Sequence, residues 1–150
     1  MNKRSVLMLF ALGTAVLALA GCQRSEIDEP GPTGPSSVYL TFSLTATPNV
    51  LYATTTRPSA EIRGTLMEGQ NPVRNAAVFF TVYAGPGTFQ DYTRRVLVFT
   101  DSAGNASVTY IGPLKSEIGG DQDVLIRAQV ETSSPNFIYK DTFVHVLRQD

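Results

Sequence analysis

Tryptophan is absent from the 150-residue chain, and cysteine and histidine occur once each, as Cys22 and His145. A single cysteine excludes an internal disulfide. A single histidine excludes a histidine-rich zinc site. No Gly-x-Ser-x-Gly elbow occurs to supply a nucleophile for His145. Basic blocks are missing too. The densest cationic spot is Arg94-Arg95, and the formal charge is only −1, which argues against nucleic acid as a partner. Gly85-Pro86-Gly87 lacks the lysine and the helix that a phosphate-cradling loop needs. Asp121 and Asp123, with Asp101 or Glu117, are the acids that could approach calcium. That ion takes six to eight oxygens, no EF-hand spacing is present, and they read as solvated loop acids. Catalysis, a resident cofactor and a metal centre are therefore all unsupported.

Apolar residues make up 43% of the chain and charged residues 17%, a globular composition. Lys3 and Arg4 precede the apolar segment Val6–Ala20, which Gly13 and Thr14 interrupt. A membrane span needs roughly 20 apolar residues. This run is shorter and ends in small residues, the layout of an export signal. Leu19-Ala20-Gly21-Cys22 closes it.

That tetrapeptide resembles the lipobox of bacterial lipoprotein precursors. The resemblance implies a signal peptide over 1–21, cleavage before Cys22, and lipid on the Cys22 thiol and on the new amino group. Several acyl chains are needed because one chain alone binds a membrane only marginally. Gln23 stands where Asp commonly holds such proteins at the inner membrane. The resemblance thus favours the outer membrane of a Gram-negative envelope.

On that resemblance residues 22–37 would be the lipidated N-terminus and a linker. Three prolines, two glycines and four charges leave little to bury, so this stretch is expected to be flexible. Fully extended, at ~3.1 Å per residue, it would reach on the order of 45 Å.

Residues 38–150 are expected to form one domain. From Val38 the apolar period becomes two: Val38, Leu40, Phe42, Leu44 and Ala46 alternate with polar residues. Strands are expected over Ser59–Met67, Ala77–Ala84, Val96–Thr100, Ala106–Ile111, Asp123–Glu131 and Phe137–Leu147, with a short, locally paired piece at Leu51–Ala53. Asp101–Asn105 is expected to join its two neighbours as a hairpin. Gly112–Gln122 is the longest polar loop. About seven strands and no 3.6-residue apolar period predict an all-β fold, an antiparallel Ig-like β-sandwich with Greek-key connections.

Three stretches resemble the bacterial Ig-like domains of the invasin and intimin kind: Asn71-Pro72-Val73 leading into Ala76–Phe80, Gly87-Thr88-Phe89, and Thr100–Val108 with its Thr-Asp-x-x-Gly-x-Ala pattern. Gln70 replaces a glycine of that family's turn, and the loop after Ile111 is longer. A transthyretin-like sandwich shares the Asp-x-x-Gly turn and is the alternative fold. The resemblance implies a binding, adhesion or spacing role. A structural accessory subunit of a membrane complex and a glycan- or small-ligand-binding module are the other readings. Val78, Phe80 and Val82 share one face of their strand. Phe79, Tyr83, Leu97 and Phe99 would form a second apolar face, covered by the linker or a loop, or open as a partner surface for another envelope protein.

Overall fold

Ser59–Glu68 shows how these strands arise. Ala60, Ile62, Gly64 and Leu66 alternate with Glu61, Arg63 and Thr65, so one face is buried and the other wet. The same alternation recurs along most of the domain. The computed structural model describes residues 39–132 and 137–149. The signal segment 1–21, Cys22 and the linker to residue 37 lie outside them.

Ten strands are present among the described residues: β1 (Leu40–Thr47), β2 (Val50–Ala53), β3 (Ser59–Glu68), β4 (Asn71–Pro72), β5 (Ala77–Ala84), β6 (Thr88–Phe89), β7 (Arg95–Phe99), β8 (Asn105–Ile111), β9 (Gln122–Val130) and β10 (Ile138–Arg148). Seven are the expected ones, and β2 is the expected short piece at Leu51–Ala53; β4 and β6 are short additions. One sheet runs β1-β3-β8-β6, with β4 folded back on β3, and the other runs β2-β10-β9-β5-β7. These are the A-B-E and G-F-C orders of an immunoglobulin-like sandwich, with β7 added beside β5. The D position is reduced to the two residues of β6, which pair with Ile111 and Tyr110.

Two expected pairings are corrected. Asp101–Asn105 does not close a hairpin: β7 pairs with β5, whereas β8 pairs with β3 in the other sheet. The turn carries the chain across the sandwich. The Asp101 carboxylate accepts from the amides of Ala103 and Asn105 at 2.8 and 2.9 Å, which fixes that corner. The Leu51–Ala53 piece does not pair locally either. As β2 it runs parallel to β10, with Val50 opposite His145 and Ala53 opposite Arg148. Thr47-Pro48, a cis peptide bond, lies where the chain leaves one sheet for the other.

The core lies between the sheets. Phe42, Ile62, Leu66, Phe89 and Tyr110 from one meet Val78, Phe80, Ile126, Val130 and Val144 from the other. Gly64 makes room for two rings: a Cβ there would lie 2.8 Å from the Phe42 ring and 3.6 Å from Phe80 Cζ. The Tyr110 hydroxyl donates to the Pro86 carbonyl at 2.6 Å, and burial pushes its phenol well above the usual range. Gly87, at φ +93°, is needed beside it, since a Cβ would strike the Tyr110 hydroxyl and the Ile111 carbonyl.

The loop after Ile111 is less polar in space than in sequence. Pro113 and Ile118 are buried, and a 3-10 turn spans Lys115–Glu117. Arg57 pairs with Glu117 and also donates to the Gly112 carbonyl. Among the described residues Thr100 is the buried polar side chain: its hydroxyl donates to the Val73 carbonyl at 2.7 Å and accepts from the Ala76 amide at 2.8 Å. No helix among the described residues is long and apolar enough to cross a membrane.

Candidate functional site

The outward side of the β2-β10-β9-β5-β7 sheet is where apolar residues meet solvent. Inward residues of β5 are Val78, Phe80 and Val82, so Phe79 and Tyr83 point out. Cross-strand register builds the rows of this face. Leu97 stands opposite Phe79, which stands opposite Gln129, which stands opposite Tyr139. The next row is Arg95, Thr81, Arg127 and Asp141. Leu125 and Phe143 follow on β9 and β10.

The four residues expected as a second apolar face all lie here, but not as one cluster. Phe79 is half-buried, while Leu97 and Phe99 are 43% and 56% exposed. These three sit on neighbouring strands, and Arg95 lies over the Phe79 ring, 4.5 Å from its centre. Tyr83, 60% exposed, belongs to a different group. A register shift between Val82 and Ala84 bulges β5 there. Tyr83 thereby meets Arg127, whose guanidinium lies 4.4 Å from the Tyr83 ring centre and 4.5 Å from that of Tyr139. The same guanidinium donates from Nε and Nη2 to the two Asp141 oxygens at 2.8 Å each. Those hydrogen bonds hold the Asp141 carboxyl below the usual carboxylate range. The result is a Tyr83–Arg127–Tyr139 stack with a fixed charge pair, flanked by exposed Phe143.

Sequence reasoning missed Arg127, Tyr139, Asp141 and Phe143. The signal was present: Val144 and Val146 alternate with Tyr139, Asp141, Phe143 and His145, which puts the aromatics outward. What the alternation does not carry is the register that brings β10 beside β9 and β5.

Of the residues weighed for metal or catalysis, Asp121, Asp123 and His145 line one recess, while Asp101 and Glu117 are engaged elsewhere. Asp101 serves its turn and Glu117 pairs with Arg57. Asp121 accepts from the Arg148 amide at 2.8 Å. His145 Nδ1 and Asp123 Oδ1 are 2.6 Å apart at the exposed end of the sheet. The shallow recess around that pair is lined by Val50, Asp121, Gln122 and Leu147, which supply neither hydroxyl nor thiol. Among the described residues no three His, Cys, Asp or Glu side chains come together as metal ligands would.

The chain matches no family model and no curated protein. Solved structures similar to it include the D0-D1 domain of intimin, with a TM-score of 0.48 and 19% identity over 71% of this chain and 49% of that one. The chain thus spans about half of that intimin fragment. A conjugative transposon lipoprotein from Bacteroides eggerthii scores 0.46 at 13% identity, over 71% of this chain and 97% of that one. Murine CRIg scores 0.38 at 10% identity, over 73% and 99%. The Ig-like description of this domain rests on its own strand order.

Proposed function

We propose that the chain is a lipid-anchored, non-enzymatic envelope protein of the bacterial Ig-like kind. In this reading Cys22 carries the lipid and residues 22–37 are the tether. The outward side of the five-stranded sheet docks on another envelope protein, in an assembly, adhesion or spacing role. The observation that supports docking is the aromatic, arginine-clamped face itself. Phe79, Tyr83, Leu97, Phe99, Tyr139 and Phe143 stand on one side of one sheet, together with Arg95 and Arg127. Aromatics and arginine are the residue types enriched at interface cores. Stacking also holds Arg127 in place before any partner arrives, so less side-chain entropy is lost on binding.

The anchor is tested by mass spectrometry of the chain extracted from membranes. A mature N-terminus at Cys22 carrying acyl chains is expected, and Cys22→Ser should accumulate as an uncleaved or mislocalised precursor. Unmodified Cys22 within a chain cut elsewhere would refute it. A glycan is the second reading, favoured by the Tyr83 and Tyr139 rings lying beside the Arg127–Asp141 pair, which could bind sugar faces and hydroxyls respectively. Saturable binding on a glycan array, lost in Tyr83→Ser, would select it.

A further inference from the structure

We propose that two copies of the chain pair edge to edge through β7, antiparallel, with the two-fold axis at Leu97. This inference does not require the lipid anchor; it shares Arg95, Leu97 and Phe99 with the proposed docking face and does not use the Tyr83–Arg127–Tyr139 group. Among the described residues β7 ends its sheet, with β5 on one side and no strand on the other. The phase of its ladder is fixed at both ends. The Thr100 amide donates to the Ala76 carbonyl at 2.9 Å, and the Val82 amide donates to the Arg94 carbonyl at 2.8 Å. Hydrogen-bonded pairs alternate along an antiparallel ladder, so Val96 and Val98 direct their backbone groups to β5. Arg95, Leu97 and Phe99 direct theirs to the open edge. The Thr93 hydroxyl donates to the Arg95 carbonyl, which keeps a second lone pair free.

Edge strands are usually protected by proline, lysine, bulges or a covering loop. Arg95–Phe99 contains no proline, lysine or glycine, and its pairing with β5 is regular. The other long edge, β1, presents Thr41, Ser43 and Thr45 on its outward side, a far more polar strand. The edge is also self-complementary. With Leu97 opposite its own copy, Val96 faces Val98 and Arg95 faces Phe99. Each of the three open residues then exchanges both backbone hydrogen bonds with its partner. Arg95, already over the Phe79 ring, gains an aromatic neighbour rather than a like charge. The two Arg95 positions fall four residues apart, about 13 Å along the strands, beyond the screening length at physiological salt. On the core side, half-buried Val96 borders a shallow recess shared with Phe89 and Val108, left open because β6 is so short. The partner's Val96 and Val98 extend the apolar lining at its mouth.

The test uses the full chain purified in detergent. Residues across a hydrogen-bonded antiparallel pair lie about 5.5 Å apart at Cα, within disulfide range. In a Cys22→Ser chain, Leu97→Cys should therefore form a covalent dimer on mild oxidation. Cys22→Ser alone, and Thr45→Cys on β1 in the same background, should not. Sedimentation of the wild-type chain should show a concentration-dependent rise toward twice the monomer mass, after correction for detergent. Leu97→Pro removes an amide that β5 does not use, so dimer should be lost while the melting temperature moves by only a few degrees. A wild-type chain that stays monomeric at every concentration would overturn the proposal. So would equal cross-linking at Thr45→Cys, or a Leu97→Pro chain that still dimerises. A different protein held one-to-one on this edge, with no Leu97→Cys self-cross-link, would overturn it as well.

Discussion

Phe80→Ala removes the ring that ties the two sheets together. Phe80 is fully buried at the middle of β5, with Val96 of β7 on one side and Ala128 of β9 on the other. Its Cζ reaches across the core to within 3.6 Å of where a Cβ on Gly64 would sit. Neighbouring strands are held by their ladders and cannot collapse into the space, so the cavity term adds to the lost transfer energy. Together these cost about 3–5 kcal/mol. Domains of this kind have only about 5–15 kcal/mol of stability in total. Each kcal/mol shifts the melting temperature by about 4–8 °C in domains near this size, so a fall of about 12–40 °C is expected. Phe79→Ser, one residue along, removes a half-exposed ring stacked under Arg95 and should cost only about 1 kcal/mol. Thermal unfolding by circular dichroism compares the two variants. Equal losses would mean that both faces of β5 are core, and the outward face could not be a docking surface.

Two further outcomes follow from the polar contacts. Thr100→Val keeps the shape but leaves the Ala76 amide and the Val73 carbonyl without a partner, at about 1–3 kcal/mol for each group. Thr100→Ser should recover most of that loss in a urea melt, and a stable valine variant would refute the role. Arg127 depresses the folded-state pKa of Asp141. A depressed carboxylate stabilises the fold above the ordinary aspartate value of ~3.9, and that contribution fades as pH falls through the folded-state value. Wild-type chain should therefore exceed Asp141→Asn in melting temperature at neutral pH, with the gap closing in acid. A gap independent of pH would contradict the pairing.

Much of the fold was legible because most strands are wet on one side. Period-two alternation places Ile62, Val78, Phe80, Val124 and Ile126 inward without any knowledge of partners. Gly85-Pro86-Gly87 marks the end of β5 for the same local reason. Alternation says which way a side chain points, but not which strand lies next to it. That is why Asp101–Asn105 resembles a hairpin in sequence and is a crossing between sheets in space. It is also why Val50–Ala53, too short to show its partner, pairs with β10 nearly a hundred residues away. β6 has two residues and no period at all. At the candidate site, Phe79, Leu97 and Phe99 were legible as outward apolar residues of adjacent strands. Tyr83 was legible as outward but not as a neighbour of Arg127, because the bulge after Val82 sets that contact. The Tyr139, Asp141 and Phe143 contribution depends on register across three strands, which no local pattern encodes.

The proposed docking role is tested most directly by photo-cross-linking in intact membranes. A photoreactive side chain replaces Tyr83 or Phe143 on the outward face of the β5-containing sheet. In parallel it replaces Thr45 or Glu61, exposed on the outward face of the other sheet. The account predicts one discrete adduct with a second envelope protein from positions 83 and 143, and none from 45 and 61. Adducts of equal yield from all four positions, or none from 83 and 143, would contradict it.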